Sequence, residues 1–180
     1  MILPIIQFGD PILRKRCQAV SEVTEEIKTL VDDMFETMHE AQGVGLAAPQ
    51  VGQSLRLAVV DVSHDPDCVS VLKVNGEDAK VMDIMPLVFI NPRFEKGGAR
   101  EKLEEGCLSI HEVRAEVQRP GMVKGIFPQL DGSELELEAD GLLARVIQHE
   151  TDHLNGVLFI DRVSAATKLM LRRELKRLKS

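Results

Sequence analysis

Gln148-His149-Glu150-Thr151-Asp152-His153 contains the string His-Glu-x-x-His. Residues four apart lie on one face of a helix, so His149 and His153 can aim imidazole nitrogens at a single ion. Glu150, beside the first of them, stands where a carboxylate can reach a water bound to the ion. Neutral imidazole suits a divalent ion of the zinc or iron kind. The string also arises by chance on unrelated helices, so alone it leaves a metal site and an ordinary helix both open. Two ligands are also too few, because a catalytic site normally has three and an open position. The usual downstream extension would put a third His at position 159, which holds Phe159. A third ligand must come from elsewhere in the chain.

The element that must carry the pair is a helix from Asp140 to about Asn155. Leu142, Leu143, Val146, Ile147 and Leu154 recur at helical spacing, and Gly156 reads as its C-cap. Earlier, Ser21 to Thr24 offers caps for a helix running to about Ala41, with Ile27, Leu30, Val31, Met34, Phe35 and Met38 on one stripe. His39 near its end suits the macrodipole and reads as structural. Gly43-Val-Gly-Leu-Ala-Ala-Pro-Gln50 lets backbone approach a partner closely. Local pattern favours a plain turn there over a substrate-lining edge, with Gln50 a neutral amide in apolar surroundings.

Strands are expected over Leu55 to Val62, Leu87 to Asn91, Val113 to Val117, Gly121 to Phe127 and Leu135 to Glu138. Residues 63–80 read as a polar loop with a short strand near Val69 to Val74. His64 and Cys68 there make a weak metal pair. Gly97-Gly98 and Asp131-Gly132 read as hairpin turns. Val157 to Ile160 looks extended, and Ser164 caps a last helix. Cys107 follows a run of acidic residues, which disfavours a free nucleophilic thiolate. Its bland reading is a buried strand cysteine.

The composition bounds the rest. The 180 residues are 44% hydrophobic and 28% charged, an ordinary globular balance. A net charge of -7 argues against a general nucleic-acid binder. Cys17, Cys68 and Cys107 are an odd set at irregular spacing, which predicts a reducing, cytoplasmic setting rather than a disulfide framework. No signal-peptide pattern opens the sequence and no apolar run is long enough to span a membrane. Lys168 to Lys179 is strongly basic within an acidic chain: either a solvated helix face or a docking element for an anionic partner.

Taken in order, Gly43-Val-Gly-Leu-Ala-Ala-Pro-Gln50, Glu105-Gly-Cys-Leu-Ser109 and Gln148-His-Glu-Thr-Asp-His153 resemble the three signature motifs of the peptide deformylases. The resemblance extends over nearly the whole chain. It implies one α+β catalytic domain over 1–180, with mainly antiparallel short strands around a central metal-binding helix and further helices near both termini, the last at about 164–179. It implies that Cys107 joins His149 and His153 around one divalent ion, Fe(II) above all, with Zn, Ni or Co able to take the same ligands. The implied reaction is hydrolysis of the N-formyl group from formyl-methionyl nascent chains, releasing formate.

By the same resemblance Glu150 is the general base, and the Gln50 side chain and Leu108 backbone N–H stabilise the oxyanion. Val44 and Gly45 meet the substrate backbone, and Val44, Leu103, Leu142, Val146 and the His149 ring wall the methionine pocket. Arg114 and Glu105 become structural supports, and Asp152 either orients a ligand or sits exposed. His111 and Arg145 depart from the common pattern. The expectation for His111 is a rim position, and for Arg145 a stem along the pocket with its charge reaching water. The basic C-terminal helix becomes a docking element for the ribosome; no membrane and no sequence-specific nucleic acid is expected. The rival readings are another metallohydrolase, such as an endopeptidase, and a binding protein with a metal staple.

Overall fold

The computed structural model describes residues 1–66 and 68–179. In chain order the elements are α1 (Glu25–Glu40), β1 (Gly45–Ala47), β2 (Leu57–Val60), β3 (Leu72–Val74), β4 (Glu77–Ala79), α2 (Val81–Ile84), β5 (Leu87–Ile90), β6 (Arg93–Cys107), β7 (Ile110–Pro128), β8 (Glu134–Asp140), α3 (Gly141–Leu154) and α4 (Ala165–Lys179). Short 3-10 helices lie at Pro11–Arg14, Ala48–Val51 and Phe159–Asp161.

Thr24 caps α1 by accepting from the Ile27 N–H, with Glu25 and Glu26 in the first turn where the helix dipole favours anions. Its stripe of Val31, Met34 and Met38 packs on an antiparallel sheet ordered β1-β2-β5. That sheet is covered on both faces. Leu46, Leu57, Val59 and Ile90 face α1, while Ala47, Ala58, Val60 and Phe89 join the core with α3. Burial on both faces is why Leu57-Ala-Val-Val60 is an unbroken apolar run rather than an alternating one.

The second sheet is antiparallel in the order β4-β3-β8-β7-β6. α3 lies between the two sheets, against β1 and β2 on one side and β7 and β8 on the other. The expected α+β arrangement around one central helix is thus present. Two strands are long: β6 has 15 residues and β7 has 19. Along β7, Val113, Ala115, Val117 and Arg119 point inward and alternate with exposed Arg114, Glu116 and Gln118.

Several local expectations are corrected. Gly97-Gly98 is not a hairpin turn. β6 continues through it, and Gly98-Ala99 face Gly121 alone, which makes a bulge with Gly98 at φ +76°. The two strands expected over residues 113–127 are one, because the bulge lets Pro120 sit in β7 without ending it. Within residues 63–80, Asn75-Gly76 is a turn with both residues at positive φ, pairing β3 with β4 as a hairpin. Val69 lies outside that strand and is exposed. Residues 159–161 form a 3-10 helix rather than extended chain, closed by Asp161, which accepts from the Leu158 N–H. Among the described residues, no helix is long and apolar enough to cross a membrane.

Candidate metal centre

α3 is held at both ends. Ser70 Oγ accepts from the Leu143 N–H at 3.0 Å, and Asp140 Oδ1 accepts from the Val71 N–H at 2.6 Å. Leu143, Ile147 and Leu154 are fully buried. Gly156, at φ +72°, ends the last turn. The helix therefore cannot rotate without exposing its stripe, and that fixes the direction of His149 and His153. Their rings stand 5.2 Å apart between centroids.

β6 delivers Cys107 to the same place. Its Sγ lies 3.4 Å from His153 Nε2. The ligand atoms of Cys107, His149 and His153 all fall within 4.8 Å of one another, the one such His/Cys/carboxylate group among the described residues. Metal–sulfur and metal–nitrogen bonds of about 2.3 and 2.0 Å at a tetrahedral angle separate the two donors by about 3.5 Å, so the spacing fits. His149 Nδ1 is 2.9 Å from Glu105 Oε1, which leaves Nε2 for an ion. His153 is buried, and its Nδ1 has no partner. Burial pushes the His153 imidazole well down, and His149 and Arg119 act the same way, so it is neutral and able to ligate. Burial also opposes charge at His149, but Cys107 and Glu105 outweigh it and hold that imidazole well up. The same neighbours favour a metal cation there.

Glu150 is 4% exposed, and its Oε2 has no hydrogen-bond partner. Burial pushes its carboxyl up to about 7. The carboxylate rests on the β1 backbone. A Cβ on Gly45 would come within 2.5 Å of Glu150 Oε1, so only glycine fits beneath it. Gln50 is buried with its amide oriented from both ends. Oε1 accepts from the Ala47 N–H at 2.9 Å; Nε2 donates to Ser109 Oγ at 3.0 Å and lies 3.5 Å from Cys107 Sγ.

Behind the ligands is a buried charge cluster. Glu105 accepts from Arg119 Nε (2.6 Å) and Nη2 (2.9 Å) and from Arg145 Nη1 (2.6 Å), in addition to its contact with His149. Arg119 Nη1 also donates to Asp152 Oδ2 at 2.8 Å, and Arg162 binds both oxygens of Asp152. Burial alone would raise the Glu105 carboxyl, but His149 and Arg119 hold it well below the usual carboxylate range.

A cavity of about 460 Å³ opens onto this centre. Val44, Gly45, Gln50, Cys107, Leu108, Leu142, Val146, His149 and Glu150 line it, and Leu103, 48% exposed, forms its rim. His153 sits behind that lining. The local reading of residues 43–50 as a plain turn is overturned, since β1 is one wall. Arg145 is also corrected: its charge does not reach water. It is buried, and its guanidinium donates to Glu105, to Val117 O and to Glu101 O. Asp152 is buried and ion-paired rather than exposed. Arg114 pairs with Glu104 at the surface. His111 has a 77% exposed side chain beside Glu112 and is not part of the cavity lining. Among the described residues, His64 and Cys68 join no metal-holding group: His64 packs edge-on against His39, which bonds Asp61, and Cys68 Sγ faces Ser70 Oγ. Sequence reasoning missed Arg119. Its signal was its phase, in step with the inward Val113, Ala115 and Val117.

The polypeptide deformylase family model matches residues 2–169. The chain belongs to the peptide deformylase family. A peptide deformylase of Salinibacter ruber is 46% identical over 177 residues, covering 98% of this chain and 88% of that relative. A crystal structure of the Synechococcus elongatus peptide deformylase in complex with actinonin matches with a TM-score of 0.81 at 40% identity, covering 98% of this chain and 85% of that one. The Thermotoga maritima peptide deformylase matches with a TM-score of 0.78 at 41% identity, covering 91% and 99%. As a deformylase, the chain is a metal-dependent hydrolase that removes the N-formyl group from nascent polypeptides.

Proposed function

We propose that Cys107, His149 and His153 hold one divalent ion, Fe(II) in the native state, and that residues 1–180 act as one catalytic domain in the bacterial-type cytoplasm. The observation that supports this most is the Cys107–His153 approach of 3.4 Å beside an unpaired, buried Glu150 carboxyl. When bound, the ion supplies Lewis acidity, making water nucleophilic near neutral pH. Its three-ligand set leaves one position open, unlike the four-ligand closure of a structural staple.

The chain's own groups do the rest. Glu150 takes a proton from the attacking water as its oxygen joins the formyl carbon. Negative charge then gathers on the former carbonyl oxygen. Gln50 Nε2 and the Leu108 N–H donate to it, each such donor supplying about 3–4 kcal/mol of barrier reduction. Glu150 returns the proton to the amine nitrogen as the C–N bond breaks, giving formate and a free amino terminus. Val44, Leu103, Leu142 and Val146 enclose the methionine side chain. β1 is the edge strand of its sheet, so Val44 and Gly45 can pair with an extended peptide. Lys168 to Lys179 on α4 docks the enzyme on the ribosome.

The test is formate release from formyl-Met-Ala-Ser by the Fe(II)-loaded enzyme, with Glu150→Ala run alongside. The expected result is turnover by the wild type and a loss of roughly 10²–10⁴-fold in the variant, with metal retained. Metal bound without formate release, or an intact rate in Glu150→Ala, would overturn the assignment of roles. Cleavage of internal peptide bonds would favour an endopeptidase.

A further inference from the structure

We infer that residues 6–8 are a strap that fixes both oxyanion donors, with Gln7 a positioning residue for the reaction. The inference rests on the assignment of Gln50 and Leu108 above. The two donors belong to distant segments: Gln50 to the 3-10 helix after β1, and Leu108 to the turn between β6 and β7. Three consecutive residues of the N-terminal segment grip both. The Ile6 N–H donates to Gln50 O at 2.8 Å, and the Phe8 N–H donates to Ser109 O at 2.7 Å. Between them, Gln7 Nε2 donates to Leu108 O at 3.0 Å and to Ile5 O at 3.3 Å. The carbonyls of Leu108 and of Ser109 are therefore both pinned, which fixes the peptide planes on either side of Ser109; the Leu108 N–H lies one plane upstream, held between that anchor and the end of β6 at Cys107.

The strap has its own support. The Phe8 side chain is buried and belongs to the cluster against which Leu171, Leu175 and Leu178 of α4 pack. Lys179 Nζ stands 5.2 Å from the Phe8 ring centroid. Gln7 itself is exposed. Water would satisfy its amide equally well, so its bond to Leu108 adds little to folding. Its effect falls on geometry, where a small misplacement of a donor is felt in the rate.

This is tested with Gln7→Met, which keeps the bulk and loses the donor, and Gln7→Lys, which retains a donor. Gln50→Met is run alongside. The readouts are kcat and KM on formyl-Met-Ala-Ser, metal content, thermal midpoint, and amide exchange across residues 107–109 in the metal-free chain. Gln7→Met should lower kcat about five- to tenfold with KM within about twofold of wild type. Metal content and midpoint should stay unchanged, exchange across 107–109 should quicken, and Gln7→Lys should recover most of the rate. A wild-type kcat in Gln7→Met, or a change confined to KM, overturns the strap. If Gln50→Met is impaired while Gln7→Met is not, the strap alone fails. A wild-type kcat in Gln50→Met overturns the oxyanion assignment beneath it.

Discussion

Charge is concentrated in two regions, and burial gives them opposite characters. Behind α3, Glu105, Arg119, Arg145 and Asp152 are each less than a tenth exposed, and both carboxylates accept from two or more cations. On α4, Lys168, Arg172, Arg173, Lys176, Arg177 and Lys179 ride on a helix with no buried residue. The Arg177–Glu174 contact there is a loose 3.7 Å. The buried charges are committed to internal partners. They surround the candidate metal ligands and hold one another in place, with Glu105 and Arg145 reaching the cavity wall. Lys168, Arg172, Arg173 and Lys176 are solvated and can exchange water for an external partner.

The largest effect that separates the two regions is expected at Arg119, which is 2% exposed. Arg119→Met strips donors from Glu105 and Asp152 together, leaving buried carboxylates short of a cation. Destabilisation of about 3–5 kcal/mol should follow. Glu105 would also orient His149 less firmly, weakening metal affinity roughly 10–100-fold. Urea midpoints and a chelator competition measure the two. If Arg119→Met were no more damaging than Arg172→Met on α4, burial would not be what divides these regions.

The same division governs what could be read from sequence. α1 and α3 are legible because burial on one face imposes a 3.6-residue period and because Thr24 and Gly156 mark ends. The His149–His153 pair is legible because both lie on that one helix. Cys107 is not, since its approach to His153 crosses 46 residues and depends on the β6–β7 register. Only the likeness of all three motifs to the deformylases assigns it. Gly97-Gly98 has the composition of a turn, but whether it turns or bulges is decided by the pairing of β7 on either side. The likeness to the deformylases placed Arg145 beside the pocket. That it meets Glu105, 40 residues away, could not, and the expected exposed charge became a buried one.

Asp161 is the intermediate case and should show an intermediate effect. It sits in the 3-10 helix before α4, pairs with Arg14 at 2.5 Å and is about a third exposed. Burial alone would raise its carboxyl, but Arg14 and the Leu158 N–H hold it below the usual range. Its folded pKa is depressed, so the stability it contributes is fully present above the unfolded value of about 3.9. That contribution is lost as pH falls below this value and through the folded pKa. Arg14→Ala should cost less than about 1 kcal/mol at pH 7, with solvent screening keeping it small. The gap between wild type and variant should close as pH falls below about 3.9. A gap that stays constant down to pH 2 would mean that Arg14 acts by packing rather than by charge.

The smallest effect on the folded chain is expected on α4. Reversing Lys168, Arg172, Arg173 and Lys176 to Glu leaves Leu171, Leu175 and Leu178 in place, and with them the packing beneath Phe8. Stability should move by no more than about 0.5 kcal/mol per site, as for surface changes generally. Turnover of formyl-Met-Ala-Ser should be unchanged, because none of the four lines the cavity at the metal centre. Sedimentation with ribosomes should weaken, and wild-type binding should fall with added salt as exposed charges are screened. Unchanged ribosome binding would remove the docking role and leave α4 as a solvated cover for the Phe8 cluster. A fall in short-peptide turnover would do more. It would show that these charges are tied to the active site, and the contrast between committed and available charge would fail on the side where it looks simplest.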